Sequence, residues 1–77
     1  MSPRLPAVNA RKLLRALDRA GFVVLRTKGS HYILEHPDQP IKRVTVPYHG
    51  SRDLPIGTVR NILKQAGLTI EEFRQLL

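Results

Sequence analysis

No cysteine occurs in these 77 residues, so neither a disulfide nor a thiolate metal site can reinforce the fold. That absence suits a reducing compartment, and the cytoplasm is the expected location. No apolar run approaches the roughly 18 residues that cross a bilayer, so no spanning segment is expected. Met1-Ser2-Pro3-Arg4 is not followed by an apolar stretch, so no secretory leader is expected either. Repeats, low-complexity tracts and long linkers are absent, as are the glycine patterns that cradle nucleotide phosphates. The expectation is one domain, residues 1–77, with residues 1–8 loosely held around Pro3 and Pro6. A chain this short buries only a little over about 60% of its unfolded surface, so one core must recruit nearly every apolar side chain. Function is therefore expected on the outside of a packed unit, not in a deep pocket.

Acidic residues are scarce. Six Asp and Glu stand against thirteen Lys and Arg, a net charge of +7. Within residues 1–34, Asp18 alone faces Arg4, Arg11, Lys12, Arg15, Arg19, Arg26 and Lys28. Such a field attracts polyanions, either nucleic acid or an anionic membrane surface, although the same charges also serve as a solvated, solubilising face.

What the chain does contain is a clear order of elements. Asn9 is a good N-cap, and Ala10, Leu13, Leu14, Leu17 and Ala20 repeat at helical spacing. Arg11, Lys12, Arg15 and Arg19 fall off that stripe and give the helix a basic outer face. Gly21 suits the left-handed position after the helix, with Phe22 folding back onto Leu17. Phe22 to Thr27 reads as a strand, Lys28-Gly29-Ser30 as a tight turn and His31 to His36 as a second strand. A turn follows at Pro37-Asp38-Gln39-Pro40, with Pro37 in its second position, and Ile41 to Val46 is the third strand. Val44 and Val46 share one face of it, Arg43 and Thr45 the other. Either Tyr32 and Leu34, or else Ile33, form the buried set of the second strand.

Beyond the loop from Pro47 to Leu54, Pro55 fits the first position of a second helix, with Val59, Ile62, Leu63 and Ala66 inward and Gly67 ending it. Thr69 and Glu72 make a capping box for a short third helix, Ile70 to Leu77, which Leu68 can staple through Phe73. Short connections predict an antiparallel three-stranded meander. The expected class is α+β, in the order α-β-β-β-α plus a short C-terminal helix, with two helices on one face of the sheet. This order matches double-stranded-RNA-binding domains, which read shape and phosphates rather than bases.

Chemistry concentrates around one turn. The three histidines, His31, His36 and His49, form no helical pair with metal-ligand spacing, and a site built from two of them with Asp38 or Asp53 is a remote reading. No metal or cofactor is expected. Ser30 and His31 are adjacent in a strand, point to opposite faces, and so do not make a nucleophile–base pair. Gly29 allows positive φ and lets a phosphate approach backbone N–H groups. Arg26 and Lys28 add positive charge, Ser30 a hydroxyl, and His31 an imidazole that exchanges protons near neutrality. Together they supply what phosphodiester cleavage requires, though the same residues also fit a plain hairpin turn with a surface histidine.

From about Asn9 to Phe73 the chain resembles the HicA (YcfA-like) family of toxin–antitoxin modules. The resemblance rests on Ala20-Gly21-Phe22, Gly29-Ser30-His31, Val46-Pro47-Tyr48-His49, and Gly57-Thr58 leading into Ile62-Leu63-Lys64-Gln65-Ala66-Gly67-Leu68. It implies a double-stranded-RNA-binding-like fold and a messenger-RNA-cutting ribonuclease with His31 as the catalytic residue. It also implies a HicB-like antitoxin that covers the active face. His49 lies in the second motif and is a candidate helper. The alternative is an RNA-binding module of the same fold without catalysis, which predicts salt-sensitive binding and no cutting. A membrane-surface role for the first helix conflicts with the need for its apolar stripe in so small a core, so no membrane partner is expected.

Overall fold

Local chemistry sets the helix ends. In the computed structural model, which describes residues 4–77, helix α1 spans Ala10–Arg19. The Asn9 side chain accepts from the Lys12 N–H at 2.9 Å, satisfying one of the orphan amides at the helix start. At the other end Gly21 takes φ +98°. Its N–H donates to the Asp18 carbonyl and that of Phe22 to Leu17, each at 3.0 Å. This is the expected Schellman closure, and it drives Phe22 into the core. The first strand, β1, therefore begins one residue later than the sequence suggests and spans Val23–Lys28.

Strand β2 covers His31–His36 and β3 covers Gln39–Pro47. They form an antiparallel meander in the order β1-β2-β3. The β1–β2 loop is only Gly29-Ser30, because Lys28 pairs with His31. Gly29 has φ +58° while Ser30 does not have positive φ, the pattern of a type II′ hairpin turn. The second turn is also shorter than expected: His36 pairs with Gln39, leaving Pro37-Asp38 as the loop. Pro37 does occupy the second position. With no positive φ at Asp38, this turn belongs to the class that splays strands, and the register indeed slips between Glu35 and His36. Pro40 contributes no amide hydrogen across that slip.

Register decides which face of β2 is buried. Leu34 pairs with Val44 and Tyr32 with Val46, and Leu34, Val44 and Val46 are all buried. Tyr32 and Leu34 thus face the core, and His31, Ile33 and Glu35 face the other side. Helix α2, Ile56–Ala66, packs against β3, as does α1. Pro55 stands at the cap of α2 with φ −55° and ψ 140°, one position earlier than expected. Gly67, φ +73°, ends the helix. Helix α3 spans Ile70–Leu76 and packs on α1. The helical cover lies over β3, so all six β1 residues are exposed, Val23, Val24 and Leu25 at 45–50%. A bulge between Val24 and Arg26 leaves Leu25 without a partner in the register.

Of the leading residues, 1–3 lie outside the described part, and several of the others make contacts with the rest of the domain. Val8 is buried, and its carbonyl accepts from the Leu54 N–H at 2.8 Å. Asn9 and Asp53 form an isolated antiparallel bridge, and Leu5 packs on the core. The Arg74 guanidinium donates to the Arg4 carbonyl at 3.3 Å.

The capping box forms as expected. Glu72 N–H donates to Thr69 Oγ1 at 3.0 Å, and Thr69 N–H donates to Glu72 Oε1 at 2.9 Å. The Thr69 backbone bond, with help from the Thr69 side chain and from Lys42, holds the Glu72 carboxyl below its ordinary value of 4.5. A carboxylate depressed in the folded state stabilises fully above its unfolded value, and the contribution disappears as pH falls through the folded one. Thermal midpoints measured from pH 6 downward should therefore fall below about pH 4.5, and Glu72→Gln should flatten part of that decline. An unchanged acid profile in Glu72→Gln would remove the box from the account.

Candidate active site

The face of the sheet away from the helices carries three rows of paired residues. Lys28, His31 and Pro47 form the row at the hairpin end; Arg26, Ile33 and Thr45 form the next. Directly paired residues in an antiparallel sheet share a face, with Cβ atoms about 4.5–5.5 Å apart. The turn geometry therefore sets Lys28 and His31 side by side on this face, with Arg26 on the same face one row away. All three are exposed.

The third row neutralises the sheet's only acidic strand residue. Glu35 pairs with Arg43, and the Arg43 guanidinium donates to Glu35 Oε1 at 3.1 Å. That ion pair sits at the end remote from the turn. Among the described residues the cations at the hairpin end, around an exposed imidazole, make no ion pair, a field suited to a phosphodiester. Gly29 adds a low rim: a Cβ built there meets nothing within 4 Å.

Ser30 is exposed in the turn, and its carbonyl accepts the Tyr48 N–H at 2.6 Å. Among the described residues no hydrogen bond joins Ser30 to His31, in keeping with their opposed directions. The Ser30–Tyr48 bond brings the Gly29-Ser30-His31 segment and the Val46-Pro47-Tyr48-His49 segment to one end of the molecule. His49 is exposed and heads a tight turn closed by Arg52 N–H to its carbonyl at 3.4 Å. It shares that end with His31, but no ring contact or hydrogen bond links the two imidazoles among the described residues.

His36 is separate from this site. Its ring meets Phe22 edge-on, with centroids 5.3 Å apart, and its Nδ1 accepts the Asp38 N–H at 3.2 Å. An accepting Nδ1 puts the ring proton on Nε2, which lies 2.8 Å from where a Cβ on Gly21 would stand. Glycine suits that position because of its positive φ, any side chain there would also crowd the His36 ring, and His36 works as packing beneath the helix–strand junction. Among the described residues no group of three His, Asp or Glu side chains is arranged to hold a metal ion, and no helix is long and apolar enough to cross a membrane.

Two residues near the turn escaped the sequence reading. Arg11 appeared only as part of a basic helix face and Tyr48 only as part of a motif. Both line one small cavity beside the hairpin. Their meeting depends on the Ser30–Tyr48 and Asn9–Asp53 backbone links, which no local pattern signals.

An α-β-β-β-α-α chain with an antiparallel meander, helices on one face and the other left open defines a double-stranded-RNA-binding-like α+β domain. The profile of a family described as the HicA toxin of bacterial toxin–antitoxin matches residues 10–68. The chain belongs to that HicA toxin family, so it is a toxin of a toxin–antitoxin system and has an antitoxin as its partner. No curated protein matches it.

Proposed function

We propose that the chain is an endoribonuclease that cuts messenger RNA through His31 without a metal, and that a HicB-like antitoxin inhibits it in the cytoplasm. One observation supports this above the others: His31 is exposed on the open sheet face in the same row as Lys28. The ribose 2′-hydroxyl attacks the adjacent phosphorus, its oxygen bonding to phosphorus as the bond to the 5′-oxygen breaks. His31 takes the 2′-proton as general base, or gives a proton to the departing 5′-oxygen as general acid. His49, at the same end of the sheet, is the candidate for the complementary transfer, with water in its place otherwise. Lys28 and Arg26 offset the charge that builds on the phosphorane, together with the Ser30 hydroxyl and the backbone around Gly29. The antitoxin acts by covering this same face.

Purified chain should cut single-stranded RNA in the presence of EDTA, leaving a 2′,3′-cyclic phosphate and a 5′-hydroxyl. A 2′-deoxy substitution at the cut nucleotide should block that cleavage. Cutting that depends on added divalent metal, or that proceeds past the deoxy substitution, would overturn the mechanism. Binding without cutting would leave an RNA-binding module of the same fold.

A further inference from the structure

The cavity beside the hairpin takes no part in the chemistry above. It measures about 220 Å³ and is lined by Asn9, Arg11, Tyr48, Gly50 and Ser51. Three backbone links fix its position. Tyr48 N–H donates to the Ser30 carbonyl at 2.6 Å, Pro47 pairs with His31, and Asn9 bridges to Asp53. The start of α1 and the β3–α2 loop are thereby drawn to the end of the sheet that carries the imidazole.

The lining has a definite chemical character. Arg11 is exposed and makes no ion pair or side-chain hydrogen bond among the described residues, so its guanidinium is free to take a phosphate. Asp53 is the acid in the adjoining loop, and no ion pair joins it to Arg11. Tyr48 is half-buried, backed by the Tyr32 ring at a centroid distance of 5.4 Å and 37° between planes. That backing holds the phenol in place. Asn9 spends its side-chain oxygen on the Lys12 N–H, which leaves its amide hydrogens as donors. Gly50, φ +64°, has nothing within 4 Å of a built Cβ, so the rim beside Ser51 stays low. One cation, one braced aromatic ring and a few uncharged hydrogen-bonding groups correspond to the phosphate, base and base edge of a single unstacked nucleotide.

We propose that this cavity is a second nucleotide subsite, seating a residue of single-stranded RNA that flanks the scissile phosphate. Arg11 holds that residue's phosphate and Tyr48 lies against its base. The subsite rests on the ribonuclease reading. It adds a grip on the substrate strand that the Lys28–His31 row alone does not provide.

The test uses the full chain in a His31→Ala background, with a labelled single-stranded oligoribonucleotide titrated at several salt concentrations. Arg11→Gln should weaken binding and reduce the slope of log affinity against log salt by about 0.7, the value of one phosphate contact on a single strand. Arg60→Gln makes the same change of charge on the exposed side of α2 and should leave the slope unchanged. Tyr48→Leu should weaken binding by roughly five- to 150-fold at fixed salt, the loss of one stacked base. With His31 intact, Arg11→Gln should raise KM while kcat holds. If Arg11→Gln and Arg60→Gln behave alike in slope and KM, the subsite is wrong and the ribonuclease reading stands. If the parent chain neither binds nor cuts RNA, both fall.

Discussion

On the ribonuclease reading, His31→Ala should lower RNA cleavage by about 10²–10⁴-fold, the usual contribution of a positioned general acid–base group, and leave folding untouched. The second half of that expectation comes from the surroundings of the side chain. His31 is exposed, and its imidazole makes no hydrogen bond within the described residues. Substitutions at such positions commonly stay within about 0.5 kcal/mol. Cleavage of an end-labelled RNA and a thermal melt of the same preparation check both halves together. A folded His31→Ala protein that cuts at the wild-type rate would falsify the catalytic assignment. The same substitution at His36 gives a useful contrast, because that ring packs on Phe22 and bonds the second turn. It should lower the melting temperature and leave the rate per folded molecule near normal.

The largest effect on stability is expected from Phe73→Ala. Phe73 has no exposed surface and leads the fully buried side chains by size. It sits on a helix of only seven residues, too short to persist without tertiary packing. Removing a buried phenylalanine side chain costs about 3–5 kcal/mol. A domain of this length holds roughly 4–12 kcal/mol in all, from about 0.05–0.15 kcal/mol per residue. Phe73→Ala should therefore lower the thermal midpoint by more than about 10 °C or abolish a cooperative transition, with Phe73→Leu well short of that. A wild-type melt in the alanine variant would mean that α3 adds little to the fold. The point matters because α3 lies beyond residues 10–68, the part matched by the family profile.

Features specified by neighbouring residues were legible in the sequence. Asn9, Gly21 and the Thr69–Glu72 pair mark helix ends because capping is a contact over three or four residues. The hairpin turn at Gly29-Ser30 was also legible, although the sequence placed Lys28 in the turn and not in the strand, where it pairs with His31. Readings that relied on hydrophobicity did less well. Val23, Val24 and Leu25 look like core residues, yet the helices sit over β3 and leave them exposed. Tyr32 and Ile33 are adjacent and both apolar in part, so only pairing with Val46 and Thr45 decides which faces inward. The Leu54 N–H bonds the Val8 carbonyl across forty-six positions of sequence, a link beyond the reach of any local pattern. The meeting of Arg11 with Tyr48 was hidden for the same reason.

The meander divides labour between stiffness and compliance. His31 belongs to the central strand, which is hydrogen-bonded on both sides, so its backbone opens only when two ladders part. Arg26 and Lys28 belong to an edge strand bonded on one side, with all six residues exposed and a bulge in the middle. Exposed edge strands of this kind commonly open locally at a lower free energy than the whole domain unfolds. On the proposed mechanism, the imidazole would stay in register while Arg26 and Lys28, on the edge strand, would be free to follow a flexible polyanion.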